Sequence, residues 1–333
     1  MFSSLKLPRW GISLLLAVAS LSAQAAKSDP GQEGATAASI NDGRFRNLLP
    51  PWVKTVAIIS PASPADTQQL DAGLRLLKNA GIRVKVMPHA RERENSGYIS
   101  IEPEKRIADL EQAWLDPEVD LILCTRGGAG SENLLDKIAW HKLKQRDIPL
   151  VGFSNITALH SAMIVQRAGH PFSGPSLTAL LGCDQESLAR LRAALSGEKL
   201  APVQLQVLRR GRCSGVAVGG HLMLLDKVSR TPFRPDTAGK IIFIECPGQK
   251  ISVLRDKLAG LRDAGLFRPC AGIVFGHFVQ CGSPTEVAKL LQEFSNTVSC
   301  PVFSGYPYGH ASSNYTIDFR RSVSINETGL MVP

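Results

Sequence analysis

The chain has 333 residues, is 44% hydrophobic and 20% charged, and carries a formal net charge of +9. That is the balance of a globular protein with one large domain or two. The excess of positive charge suits anionic surroundings such as a wall polymer or membrane surface. The basic residues are scattered, and no recognition helix or zinc-finger spacing accompanies them, which excludes a nucleic-acid-binding role.

The first residues read as an export signal. Lys6 and Arg9 give a positive start, Gly11 to Leu21 is apolar, and Ala23-Gln24-Ala25 supplies small residues for cleavage. Residues 1–25 are therefore a signal peptide, and no later segment has the length and apolarity of a membrane span. The expected location is the periplasm. Residues 26–50, rich in Gly, Ala, Ser and Asp without a period, read as a flexible tether. Seven cysteines remain, an odd count with no CxxC or Cys/His metal spacing, and their pairing stays open.

From residue 51 the pattern alternates. Val53 to Ile59 reads as a buried strand, Thr67 to Ala80 as an amphipathic helix, Ile82 to Met87 as a strand, Glu102 to Leu115 as a helix and Leu121 to Cys124 as a strand. Such alternation predicts an α/β domain, residues 51–182, with a parallel sheet whose sites form at the C-terminal strand ends. Three loops meet that condition. They are Ser60 to Ser63, Arg126-Gly127-Gly128-Ala129-Gly130 before a predicted helix Glu132 to Ile138, and Gly152 to Asn155 before a predicted helix Asn155 to Arg167. Ser154 sits on a strand-to-helix turn, a position that lifts a nucleophile out of a sheet. Equally, Ser154 or Asn155 could cap that helix. The glycine loop is neither a dinucleotide fingerprint nor a P-loop. Arg126 could hold a carboxylate in a bidentate pair, or pair with a structural acid.

Residues 183–213 contain a helix, Glu186 to Leu195, and then a basic irregular stretch that reads as an inter-domain linker. Ser196 and Lys199 fit a Ser-x-x-Lys pattern, but no Ser-Asp-Asn or Lys-Thr-Gly follows, so they read as a surface turn. Residues 214–333 have short glycine-punctuated strands and predict a β-rich C-terminal domain. Glu245 ends the very apolar Ile241-Ile242-Phe243-Ile244, where a lone charge would be costly. His310 follows a glycine in the aromatic loop Tyr306-Pro307-Tyr308-Gly309. Ser154, Glu245 and His310 form a candidate triad, although spacing alone leaves other trios open, including one with His160.

Six stretches add to this: Ser60-Pro61-Ala62-Ser63, Arg126 to Gly130, Gly152-Phe153-Ser154-Asn155-Ile156-Thr157-Ala158-Leu159, Gly219-Gly220-His221-Leu222, Ile242-Phe243-Ile244-Glu245 and Gly309-His310. In this order they resemble the L,D-carboxypeptidase (muramoyltetrapeptide carboxypeptidase) family of serine peptidases, over nearly the whole chain after residue 53. The resemblance implies an α/β N-terminal domain similar to class I glutamine amidotransferases, a β-rich C-terminal domain, and an active site between them. It implies Ser154 as nucleophile, His310 as base, Glu245 as its orienting acid, and removal of terminal D-Ala from peptidoglycan tetrapeptides. It also implies a homodimer and no metal or organic cofactor. Within that frame the amides of Asn155 and Gly128 would receive the oxyanion, and Arg126 the substrate carboxylate. Asn155, Ala129, His221, Cys246 and Gln249 depart from the family pattern, which has Asp, Tyr, Asn and acids at these places. The departures motivate other readings: an L,D-endopeptidase acting on cross-links, a catalytically weak wall-binding protein, or a relative that inactivates peptide-nucleotide antibiotics.

Overall fold

The computed structural model describes residues 43–45, 47–93 and 101–333. The expected signal peptide and most of the expected tether lie outside the described residues. No helix among the described residues is long and apolar enough to cross a membrane.

The N-terminal sheet holds β1 (Thr55–Ile59), β2 (Arg83–Val86), β3 (Leu121–Cys124), β4 (Pro149–Gly152) and β5 (His170–Ser173), all parallel, in the order β5-β4-β3-β1-β2. Strand alternation sends Val56, Ile58, Leu121, Leu123 and Val151 into one apolar cluster. It sends Ala57, Ile59, Ile122, Cys124 and Leu150 into another. Both faces are covered, as a parallel sheet requires. Among the covering helices are α1 (Thr67–Asn79), α2 (Pro103–Leu115), α3 (Trp140–Leu143), α4 (Thr157–Gln166) and α5 (Gln185–Ser196).

Two local expectations are corrected. The helix predicted at Glu132 to Ile138 is a short 3-10 turn, Ser131–Asn133, followed by further turns. The Ser131 amide goes to a side chain, Asn155 Oδ1, while those of Asn133 and Leu134 close local turns. The sheet is also mixed rather than wholly parallel. Ile317–Asp318, a two-residue strand near the C-terminus, returns to pair antiparallel with β5.

The second sheet begins where an irregular linker was expected. After α5 come β6 (Val203–Gln204), β7 (Gln206–Arg209) and β8 (Cys213–His221), then α6 (Leu222–Val228), β9 (Ile241–Glu245), α7 (Ile251–Asp263), β10 (Gly272–Phe275), α8 (Pro284–Ser295) and β11 (Val302–Ser304). With the returning Ile317–Asp318 strand counted as β12, the chain closes with β13 (Ser322–Ile325) and β14 (Leu330–Val332). The strand order is β6-β14-β13-β8-β9-β10-β11-β7. Strands β6 and β7 form the two edges, yet only Leu205 separates them in sequence. That single residue brings the two ends of the sheet together, so the domain is nearly a barrel. Its middle pairs, β8-β9-β10-β11, are parallel. One face of these strands packs with Leu254, Leu258 and Leu261 of α7 and Leu290, Leu291 and Phe294 of α8. The other packs inside the curl against Val323, Ile325 and Met331. The fold is thus two α/β domains, the second β-rich. Both point the C-terminal ends of parallel strands at one cleft.

Candidate active site

Strand β4 ends at Gly152, Phe153 stays extended, and Ser154 turns sharply with φ +62° into a 3-10 turn, Ser154–Ile156, that leads into α4. A left-handed conformation costs a non-glycine residue about 1–2 kcal/mol. Strain of this kind persists only where the surroundings hold it. Here the glycine loop after β3 lies hard against the turn. A Cβ on Gly127 would sit 2.6 Å from Ser154 Cβ and 2.8 Å from Ser154 Oγ. Ser154 does not cap its helix. Neither capping position of that segment carries a side-chain cap bond, and Ser154 Oγ is directed elsewhere.

It is directed at His310. His310 Nε2 lies 2.9 Å from Ser154 Oγ, and His310 Nδ1 lies 2.7 Å from Glu245 Oε2. The three residues expected from the sequence therefore form one hydrogen-bonded row, although 156 and 65 positions separate its bonded pairs. Ser154 belongs to the first domain; Glu245 and His310 belong to the second.

Glu245 is the last residue of β9 and is fully buried. Burial works against its charge, but the facing His310, with smaller help from His221 and His277, holds its carboxyl below the usual range. Gly309, at φ +119°, permits the approach, because a Cβ there would lie 2.6 Å from Glu245 Oε2. The loop behind it is tied down. Gly309 N–H donates to Asn314 Oδ1, and His277 N–H donates to the Tyr308 carbonyl. The buried Tyr308 hydroxyl pairs with Ser173 Oγ of the other domain at 2.7 Å. The His310 ring lies between Phe153, at a centroid distance of 4.9 Å, and His221, edge-on at 5.8 Å. His221 ends β8 opposite Glu245. Its Nδ1 accepts from Met223 N–H, and burial pushes its pKa down to about 4, so the ring is neutral.

Asn155 and the glycine loop meet beside Ser154. The Gly127 position is 3.3 Å from Asn155 N, measured from a notional Cβ. Gly128 adopts φ +112° with Ser63 Oγ behind it, and Ser63 Oγ accepts from Ala129 N–H at 3.0 Å. The loop Ser60 to Ser63 therefore supports the glycine loop. Arg126 lies two residues past β3, half-buried at the start of the same loop. Ser196 ends α5, with Gly197 as a left-handed cap, and takes no part in the row.

Sequence reasoning missed three contributors. Buried Arg106 donates from one nitrogen to the carbonyls of Pro61 (2.9 Å) and Gly130 (3.0 Å), joining the two loops. Its signal was a cation on the apolar side of α2, next to Ile107 and Leu110. The others are Glu132 and Lys227, which no local pattern distinguishes from surface charges.

A serine, a histidine and a buried acid in this order are the arrangement of a serine-type hydrolase. The comparisons narrow the class. The LD-carboxypeptidase N-terminal domain matches residues 56–174, and the LD-carboxypeptidase C-terminal domain matches residues 214–325. A putative carboxypeptidase of Streptomyces coelicolor is 30% identical over 274 residues, covering 79% of this chain and 87% of its own. The murein tetrapeptide carboxypeptidase of Pseudomonas aeruginosa is 31% identical over 277 residues, covering 78% and 89%. Among solved structures, muramoyltetrapeptide carboxypeptidase from Oxalobacter formigenes superposes with a TM-score of 0.74 at 21% identity, over 84% of this chain and 98% of that one. An MccF-like protein from Bacillus anthracis gives a TM-score of 0.76 at 19% identity, over 84% and 95%. At those identities the structural likeness speaks for the fold alone. The chain belongs to the LD-carboxypeptidase family, and its activity is that of a serine-type carboxypeptidase.

Proposed function

We propose that this protein removes the terminal D-Ala from peptidoglycan tetrapeptides in the periplasm, with Ser154 as nucleophile, His310 as general base and Glu245 as orienting acid. The observation that carries the reading is the continuous Ser154–His310–Glu245 row across the domain junction. His310 takes the Ser154 proton as Oγ attacks the peptide carbonyl, and returns it to the D-Ala nitrogen as the C–N bond breaks and the acyl group stays on Oγ. The amides of Asn155 and Gly128 receive the developing oxyanion; one such donor is typically worth about 3 kcal/mol of barrier. Glu245 holds the imidazole tautomer and balances its charge once it is protonated. Water, activated by the same histidine, then releases the acyl group. Arg126, at the head of the glycine loop, is the candidate anchor for the free carboxylate of the D-residue. The substrate class follows from relatives whose names specify murein peptides. We carry forward two further expectations: a homodimer, and kinship of the N-terminal sheet with that of class I glutamine amidotransferases.

The test is mass spectrometry of purified muropeptides incubated with the wild-type and Ser154→Ala proteins. Conversion of tetrapeptide to tripeptide by the wild type alone is the expected result. Cleavage only of cross-linked dimers would move the assignment to an L,D-endopeptidase. If neither substrate changes, the reading fails. Fractionation of the producing cell checks the location, and light scattering checks the dimer.

A further inference from the structure

Asn155 directly follows Ser154 in the turn, and its side chain is held on both sides. The Asn155 side chain has a fixed orientation: Oδ1 accepts from Ser131 N–H at 2.9 Å, so Nδ2 faces the other way. There it donates to Glu132 Oε2 at 3.0 Å. The Asn155 carbonyl accepts from Ser131 Oγ at 2.7 Å. Glu132 Oε2 also accepts from Gly130 N–H at 3.1 Å, while its Oε1 pairs with Lys227 Nζ at 2.5 Å. Lys227 lies on α6 of the second domain, in the helix that follows His221. One carboxylate therefore joins the nucleophile turn, the end of the glycine loop and the opposite domain.

We infer that Glu132, clamped by Lys227, is a positioning residue for the Asn155 amide, and that Asn155 is matched to Glu132 where an aspartate would be repelled. The inference rests on the proposed role of the Asn155 amide as oxyanion donor. With an aspartate in place of Asn155, a second carboxylate oxygen would face Glu132 Oε2 at the present 3.0 Å, replacing a donor–acceptor pair by two acceptors of like charge. The turn would shift, and the amide with it. Burial opposes the charge of Glu132, yet the bonds from Lys227 and Asn155 hold its carboxyl below the usual range, so the clamp is charged at neutral pH. Two sites that share one bonded group couple, so their effects are not additive.

The experiment is a double-mutant cycle in kcat and KM on a tetrapeptide, with Asn155→Asp, Glu132→Gln and the pair together, and Lys227→Met alongside. Asn155→Asp alone is expected to lower kcat at least 30-fold with KM within about threefold, since an oxyanion donor acts on the transition state more than on ground-state binding. In the double variant the Glu132→Gln side chain keeps its oxygen toward Lys227 and donates its amide to the carboxylate introduced by Asn155→Asp, while Gly130 N–H loses its acceptor, so recovery is partial. The polarity of the bond is reversed, and kcat recovers at least about tenfold relative to Asn155→Asp, as coupling between bonded partners requires. Lys227→Met lowers kcat a few-fold in the wild-type background and less in Glu132→Gln. Additive losses with no recovery in the double variant overturn the inference even if Asn155→Asp folds poorly, because the double variant restores the bond. Loss of activity in Ser154→Ala together with an additive cycle leaves the proposed function standing without the clamp. A Ser154→Ala protein that retains full activity removes the proposed function itself.

Discussion

His310 Nδ1 approaches Glu245 Oε2 to 2.7 Å, while the other Glu245 oxygen, Oε1, is buried with no hydrogen-bond partner among the described residues. A fully buried carboxylate keeps its charge here because His310 offsets the cost of burial, so the acid and the ring depend on each other. Its bond to His310 fixes which ring nitrogen faces Ser154. Glu245→Gln keeps the shape and an acceptor but removes the charge that balances a protonated imidazole. The expected outcome is a fall in kcat of about 10³-fold or more, by the logic of orienting acids in triads. Because the folded protein holds the Glu245 carboxyl below its usual range, the ionised side chain contributes stability, and Glu245→Gln should lower the melting temperature. Steady-state kinetics and a thermal melt on the same preparation check both halves.

Two glycines set how close the parts of the row can come. A methyl at position 127 would lie 2.6 Å from Ser154 Cβ, and one at position 309 would lie 2.6 Å from Glu245 Oε2. Neither distance is tolerable without displacement. At 127 the obstacle is Ser154 itself; at 309 the backbone is also left-handed. Gly127→Ala and Gly309→Ala are both expected to lower kcat/KM by about 100-fold or more, the scale on which small misplacements of reacting groups act. Gly309→Ala should also lose about 1–2 kcal/mol of stability, from the φ penalty. Chemical denaturation separates the two effects. Near-normal kinetics in Gly127→Ala would mean that the glycine loop does not bear on the serine.

The members of the row were legible one at a time because each sits where a strand pattern stops: Ser154 past Val151-Gly152, Glu245 at the end of Ile241–Ile244, His310 after Gly309. Their convergence was not legible from spacing, since it depends on how two separate sheets aim their strand ends. The resemblance supplied that link. Helix α8 escaped notice although its signals were present: Ser283 and Glu286 form a capping box, with Pro284 in the first turn. The barrel edges β6 and β7 could not be read, because these half-exposed strands lack the continuous apolar run that marked the similarly short β3. Arg106, Glu132 and Lys227 were hidden for another reason. A charge reveals its burial or its partner only in three dimensions.

The seven cysteines are all buried and none is disulfide-bonded, yet Cys270 Sγ and Cys300 Sγ lie 3.4 Å apart. Both face the cluster under α7 and α8. Cys270 Sγ also donates to the Phe267 carbonyl at 3.1 Å. Small rotations about the side-chain bonds would bring the sulfurs to bonding distance. With glutathione disulfide as oxidant, these two thiols are expected to link, with glutathione as the reduced product. A loop closed across 30 positions stabilises a fold by roughly 3.7 kcal/mol when its closure introduces no strain. A non-reducing peptide map should identify Cys270–Cys300, and Cys270→Ser should abolish both the link and the gain. A map that shows Cys300 joined to another cysteine would contradict the pairing.

Acid should destabilise this protein well above the carboxylate range, because two histidines are buried neutral. Burial lowers the pKa of His160 to about 3 and that of His221 to about 4, from the ordinary value of 6.5. His160 is fully buried, edge-on to Phe319. Below pH 6.5 the unfolded chain takes up these protons and the folded chain does not. The unfolded state then binds more protons, and stability falls as pH falls. The loss continues until the folded pKa values are reached, at about 4 for His221 and 3 for His160. Each group contributes a slope of about 1.4 kcal/mol per pH unit, so each costs about 2 kcal/mol at about pH 5. Glu245, with its lowered pKa, adds lability only below the ordinary carboxylate value, so it does not confuse the window between about pH 5 and 6.5. Urea unfolding at about pH 7.5 and pH 5 should show the wild type losing roughly 4 kcal/mol between the two from these residues. His160→Leu should reduce the measured pH difference by about 2 kcal/mol, whatever its effect at the higher pH. An unchanged pH difference in the variant would mean that His160 takes up its proton in the folded state.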